Sequence, residues 1–137
     1  MNIPFLGNRR QKHGVLRDPE GLAELLAECE LLRSQVSRAG VRLDDSPASL
    51  EALDQLVPGS WRDDEDTLTW LGNDAGLYLG TVIVRTVPGA VWEIRSDGQP
   101  VVRLASGREL DVVDSGHAWA AGGVPELSQL YAEVAEA

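Results

Sequence analysis

Few residues in this chain have the chemistry of a neutral-pH base or a thiol nucleophile: two histidines, His13 and His117, and one cysteine, Cys29. No Ser, Cys or Asp stands beside either histidine at a spacing that suggests a triad, although triads are assembled in space rather than in sequence. A solvated or hydrogen-bonded side chain is therefore the expectation for both. Cys29 falls on an apolar stripe with Leu22, Leu25, Leu26, Leu32 and Val36. A buried structural thiol is expected there rather than a nucleophile. A single cysteine also excludes an internal disulfide and any multi-cysteine metal site.

Asp63, Asp64, Glu65 and Asp66 form the densest acidic run, with Asp44-Asp45 as a second, shorter one. Ca²⁺ or Mg²⁺ needs several oxygens converging on one point, so residues 63–66 are the candidate metal ligands. The alternating acids, central glycine and distal Glu of an EF-hand are missing. The competing reading is a solvated loop or the acid-rich start of a helix. Gly72, Gly76 and Gly80 recur every four residues. That spacing is not the G-x-G-x-x-G of a dinucleotide site, and no Walker A sequence is present. No cofactor is expected. Of the four tryptophans, Trp92 reads as core. Trp61 and Trp70 flank the acidic run and either contact a partner or close over the core.

Charge is polarised along the chain. The net charge is −10. Residues 1–17 carry Arg9, Arg10, Lys12 and Arg17 without an acid, and all 22 acids lie from Asp18 onward. So acidic a body repels nucleic-acid phosphates, and no nucleic-acid partner is expected. The basic arm, with Ile3, Phe5 and Leu6, suits an acidic protein partner or weak peripheral contact with an anionic membrane. No apolar run approaches the ~20 residues that span a bilayer. The N-terminus has no signal-peptide core and Arg9-Arg10 is followed by polar residues, so a cytoplasmic setting is expected. Arginine outnumbers lysine 11 to 1, a bias of GC-rich genomes that says nothing of function.

The composition, with 43% hydrophobic and 25% charged residues over 137, is that of one globular domain. Residues 1–17 read as a mobile arm and 18–137 as the domain. Asp18-Pro19 starts a first helix carrying the Cys29 stripe as far as Gly40. Val41-Arg42-Leu43 is a candidate short edge strand. Ser46-Pro47 starts a second helix with Leu50, Leu53, Leu56 and Val57 inward, and Pro58 stops it. Residues 68–86 read as one long helix ended by Pro88-Gly89. Its glycine stripe then invites another backbone to approach, offsetting about 1 kcal/mol of helix propensity per glycine.

Three strands follow, near 91–95, 100–104 and 108–113. If Ser96-Asp97-Gly98 and Ala105-Ser106-Gly107 are three-residue loops, Trp92 faces Val102, Val102 faces Leu110 and Arg103 faces Glu109. One face then collects Trp92, Ile94, Val102, Leu104, Leu110 and Val112. The other collects Glu93, Arg95, Arg103, Glu109 and Asp111. A short helix at about 115–121 and a last helix starting at Pro125, with Leu127, Leu130, Tyr131 and Val134 inward, complete the chain. The expected fold is α+β: a three-stranded antiparallel meander with helices packed on one face.

Three stretches carry a family resemblance: VRLDDSPASLEALDQLV, WLGNDAGLYLGTVIVRTVPGAVWEI and GRELDVV. They resemble a streptomycete-type actinobacterial domain of unknown function over about residues 20–135. The carrying positions are Ser46, Ser49, Leu50, Leu53 and Asp54; Gly76, Tyr78, Leu79 and Gly80; and Gly89 with Trp92. The chain departs from the wider pattern at Thr81, where Glu is usual. The resemblance supports the long helix and implies no activity.

The resulting expectation is a non-catalytic protein-interaction or regulatory module. Two alternatives stay open. One is a small enzyme or ligand-binding domain with Tyr78, Trp92, Glu93 or His117 lining a cleft between sheet and central helix. The other is a Ca²⁺/Mg²⁺ site at residues 63–66. Candidate partner contacts are Arg9, Arg10, Lys12, Trp61 and Trp70. Gly72, Gly76, Tyr78, Gly80 and Trp92 form the packing motif.

Overall fold

A computed structural model of the protein describes residues 26–56 and 64–136. Within them the elements are α1 (Glu30–Ser37), α2 (Pro47–Asp54), α3 (Glu65–Thr86), β1 (Val91–Ile94), β2 (Pro100–Arg103), β3 (Glu109–Leu110), α4 (Val112–Gly122) and α5 (Leu127–Glu136). The three strands form one antiparallel sheet in the order β1-β2-β3. The fold is α+β, as expected.

Local signals set several boundaries. The Ser46 hydroxyl accepts the Ser49 N–H and Pro47 occupies the first turn of α2. Asp64 caps α3, accepting from Asp66 N–H, so Glu65 and Asp66 belong to the first turn rather than to a loop. Their negative charge complements the positive end of the helix dipole. The 22-residue α3 holds the centre of the core, with Leu71, Ala75, Tyr78, Leu79, Val82 and Ile83 fully buried.

Both hairpins have the expected register: Trp92 opposite Val102, Val102 opposite Leu110, and Arg103 opposite Glu109. Each loop ends on a glycine in the left-handed region, Gly98 at φ 89° and Gly107 at φ 93°. The Arg95 and Leu104 N–H groups close the loops onto Gln99 and Arg108 carbonyls. On the polar face, Arg95 bridges Glu109 at 3.6 Å and Asp111 at 3.1 Å, and Arg103 meets Glu93 at 3.4 Å. That face is not wholly polar, because Val101, opposite Glu93, is fully buried.

Four sequence expectations are corrected. The first helix is not continuous to Gly40: residues 28–29 are non-helical and Cys29 takes a left-handed φ of 42° just before α1. The apolar stripe persisted through the break, which hid it. Gly40 does close α1: its N–H donates to Ser37 C=O and Val41 N–H to Val36 C=O, a Schellman pair. Residues 41–43 form no strand. The third strand stops at Leu110. The Asp111 carboxylate accepts Asp114 N–H and starts α4, placing the β-branched Val112 and Val113 in a helix. The last helix begins at Leu127, not at Pro125, for a reason that lies in α2.

Candidate functional site

Among the described residues, two clusters of polar side chains join helices inside the fold. The first is Asp54, at the end of α2. Its Oδ1 accepts Trp119 Nε1–H and Leu127 N–H, each at 2.9 Å. Its Oδ2 accepts Ser128 N–H at 3.0 Å and Ser128 Oγ–H at 2.6 Å. Four donors fill the carboxylate's accepting positions. Two are orphan backbone groups of the first turn of α5, so a residue 73 and 74 positions away does the work of an N-cap. This sets the start of α5.

The second place surrounds Tyr78 on α3, which is fully buried. Asp45 N–H donates to the Tyr78 hydroxyl at 2.8 Å. The Ser49 hydroxyl lies 2.6 Å from Tyr78 Oη and donates its own proton to Ser46 C=O, also at 2.6 Å. The Tyr78 O–H therefore donates to Ser49, and one directed chain runs from Asp45 N–H to Ser46 C=O. Burial pushes the Tyr78 hydroxyl up from the ordinary phenol range, while Ser49 and Asp45 N–H pull it partly back. The Arg33 guanidinium stands 5.4 Å from the Tyr78 ring centroid. Arg33 also donates to the carbonyls of Ala27, Glu28 and Leu43 and to Asp45 Oδ1 at 3.0 Å. Arg85 takes the other Asp45 oxygen at 2.7 Å. Asp45 sits at φ 64°, held there from both sides.

Beside this cluster, the Asp74 carboxylate accepts Leu32 N–H at 3.1 Å. The residue before α1, Cys29, provides no side-chain cap, so Asp74 supplies it from α3. Burial raises the Asp74 pKa above the usual carboxylate value, against the pull of the Leu32 and Leu31 N–H groups. The Cys29 thiol donates toward Leu26 C=O and Asp74 C=O. Burial, helped by the neighbouring Asp74, pushes it up to about 12. At neutral pH the group is a protonated thiol packed in the core, not a thiolate.

The glycine stripe faces other elements at van der Waals limits. A Cβ at Gly72 would come within 2.6 Å of His117 Nδ1. One at Gly76 would overlap the Val112 carbonyl, and one at Gly80 the Trp92 ring. Gly116 of α4 answers from the other side, where a Cβ would overlap Gly72 C=O and the Gly76 backbone. The packing motif is thus a backbone-to-backbone crossing of α3 and α4, with Trp92 seated on Gly80.

The four residues named for a cleft between sheet and α3 do not converge. Tyr78 is turned to the α2 loop, Trp92 fills the space against Gly80, Glu93 is on the opposite sheet face with Arg103, and His117 covers Gly72. Trp70 is half-buried and packs on the core. Asp64 turns both oxygens into its own helix, toward Asp66 N–H and the Thr67 hydroxyl, and the Thr67 bond lowers its pKa. Among the described residues no three metal-ligating side chains converge. Arg9, Arg10, Lys12, His13, Trp61 and Asp63 lie outside the described residues. No described helix is long and apolar enough to cross a membrane.

Among the described residues, the surface includes two open grooves. One, of about 380 Å³, is lined by Arg33, Ser37, Gly40, Val41, Arg42 and Leu43. The other, of about 430 Å³, runs between α2 and α5 past Pro47, Glu51, Glu126, Ser128, Gln129 and Tyr131.

A family model matches residues 1–137. The chain belongs to DUF6278, a family of unknown function. No curated protein and no solved structure matches it. In this DUF6278 chain the residues that carry the sequence resemblance have structural work. Ser46 caps α2, Ser49 receives Tyr78, Leu50 and Leu53 are core, and Asp54 starts α5. Gly76 and Gly80 admit α4 and Trp92. The sequence places Asp54 in the motif without a role and Asp45 only in a short acidic run, and it singles out neither Arg33 nor Asp74. Their partners are distant in sequence, and no local spacing reveals them.

Proposed function

We propose that this domain is a non-catalytic protein-interaction module. The observation that supports it is the commitment of its buried reactive groups. Asp54 serves four donors, Arg33 and Arg85 share Asp45, Tyr78 is tied to Ser49, and the Cys29 thiol is held protonated. These contacts tie the helices and the loops between them together, so the fold works as a scaffold that presents surface. Trp70, with Trp61, Arg9, Arg10 and Lys12, belongs to the proposed contact surface. The acidic body favours a protein partner over a nucleic acid. A cytoplasmic setting and an actinobacterial source, suggested by the arginine bias, are part of the same reading.

The test is capture of a partner by the full chain at about 150 mM salt, where weak surface attraction is screened, followed by reconstitution from two purified components. A complex of fixed stoichiometry that weakens on Trp70→Ala supports the reading. A chain that forms no complex, yet is stabilised against heat by a small metabolite or a divalent ion, is a ligand-binding protein instead.

A further inference from the structure

We propose that the open edge of β1 pairs antiparallel with β1 of a second copy of this chain. Among the described residues β1 is an end strand of the sheet. Hydrogen-bonded pairs alternate along an antiparallel ladder. Arg95 N–H donates to Gln99 C=O, so residues 91, 93 and 95 turn their backbone groups toward β2. The N–H and C=O groups of Trp92 and Ile94 therefore point away from β2, out of the sheet. Among the described residues no backbone group meets them there. Such a row of donors and acceptors is a template for another strand.

The charges along β1 make its own copy the fitting strand. A two-fold axis that engages the outward groups of Trp92 or Ile94 can sit at residue 92, 93 or 94. At 92, Val91 faces Glu93 of the second copy, an apolar side chain against an acid. At 93, Glu93 faces Glu93, and like charges directly opposite are destabilising. At 94, Glu93 faces Arg95 of the second copy, and symmetry makes the pair twice. Both side chains have capacity left for it. Arg103 meets Glu93 at Oε2, and Arg95 uses Nε for Glu109 and Nη1 for Asp111. Among the described residues Glu93 Oε1 and Arg95 Nη2 are unengaged, and the two side chains are 36% and 37% exposed. A line of alternating charge, Arg103–Glu93–Arg95–Asp111, would then cross the joined sheets. On the other face the half-buried Ile94 would meet its own copy at the axis.

This pairing goes beyond the interaction reading, because its occupant is a second copy and its surface is β1 rather than the neighbourhood of Trp70. Residues 92–96 of each copy make a short contact, smaller than a standard interface, so a dissociation constant of about 0.1 mM is expected. The full chain is followed by sedimentation equilibrium from about 10 µM to about 1 mM, at about 150 mM salt to screen the repulsion between two acidic bodies. The expected result is a monomer at the low end and a dimer at the high end. Amide exchange at Trp92 and Ile94 should be at least about threefold slower at the high end, while Glu93 N–H, already turned to β2, changes less. Two full-length variants test the register, their folds checked by circular dichroism. Glu93→Arg puts positive charges opposite each other, and Arg95→Glu puts negative charges there. Each alone should stay monomeric at the high end, and an equal mixture of the two should dimerise, because each supplies the other's opposite charge. If a variant does not fold, the exchange measurement on the parent chain decides. A chain that is monomeric throughout overturns the proposal, as does a dimer in which Trp92 and Ile94 exchange unchanged. Protection of both amides that is independent of concentration would mean that the chain covers its own edge, and also overturns it. A mixture that dimerises no better than its components overturns the register centred on Ile94.

Discussion

Two helix joints in this protein solve the same problem with opposite chemistry. Where α3 crosses α4, side chains are removed: Gly72 and Gly76 face Gly116, and backbone meets backbone. Where α2 meets α5, a side chain is added: the Asp54 carboxylate reaches across and satisfies the first turn of the other helix. The first joint depends on the absence of a single carbon and tolerates no volume. The second depends on hydrogen-bond geometry and tolerates volume but not the loss of acceptors. Substitutions at the two joints should therefore fail in different ways.

The largest effect is expected at the glycine crossing. Gly76→Val places branched carbons into the Val112 carbonyl, a backbone atom that cannot rotate away. A loss of about 3 kcal/mol or more in urea unfolding is expected, or failure to fold. The control is Gly122→Ala at the end of α4, where a Cβ meets nothing within 4 Å. Its stability should stay within about 1 kcal/mol of the parent, on the favourable side. A Gly76→Val variant as stable as the Gly122→Ala control would mean that close approach does not govern the stripe.

Asp54→Ala should come next, at about 2–3 kcal/mol, because it leaves the Trp119 indole N–H and two backbone N–H groups of α5 without their acceptor. Its signature is local. Amide exchange should quicken at Leu127 and Ser128, while the α3–α4 crossing stays protected. Asp54→Asn keeps one oxygen and should recover part of the loss. Exchange that quickens equally at both joints would show that the two are one cooperative unit.

The two joints also differ in how far they were legible in the sequence. A four-residue glycine spacing within one helix is a local pattern, and it announced a close crossing before any partner was known. The hairpin register was readable for the same reason, since Gly98 and Gly107 specify the loop type within three residues. Asp54 stood in the quoted motif with no readable task, because what it caps is 73 residues further on. Asp74 was passed over entirely. The break before α1 was missed with it, since the residue that should announce a helix start there is Cys29, which does not cap. At the candidate site, Tyr78 was identified as packing, but its hydroxyl partner is Ser49, 29 residues earlier, and no period links the two. Capping chemistry is readable when it is local and invisible when a different helix supplies it.

Tyr78→Phe sharpens this point with a smaller change. The ring stays in the core, while the Asp45 N–H loses its acceptor and Ser49 its donor. A loss of about 1–2 kcal/mol is expected, measured by denaturant midpoint at unchanged m-value. A loss near zero would mean that water replaces the hydroxyl.

The smallest effect is expected at Asp74, and there the direction matters more than the size. Its folded pKa lies above the unfolded value because burial disfavours the carboxylate. A group shifted this way contributes its stabilisation below the unfolded pKa and loses it as pH rises through the folded one. At neutral pH the charge on Asp74 therefore weighs against the fold even as its oxygen caps α1. Asp74→Asn keeps an oxygen for Leu32 N–H and removes the charge. The variant should be as stable as the parent at pH 7, or more so, by under about 1 kcal/mol. Its advantage should shrink as pH falls through the raised Asp74 pKa and the parent's carboxyl takes up its proton. Asp54, by contrast, has four donors to serve, so Asp54→Asn should be destabilising at pH 7. If both asparagine variants lose stability alike at pH 7, the Asp74 charge is an asset to the α1 terminus, and its burial is not what sets its pKa.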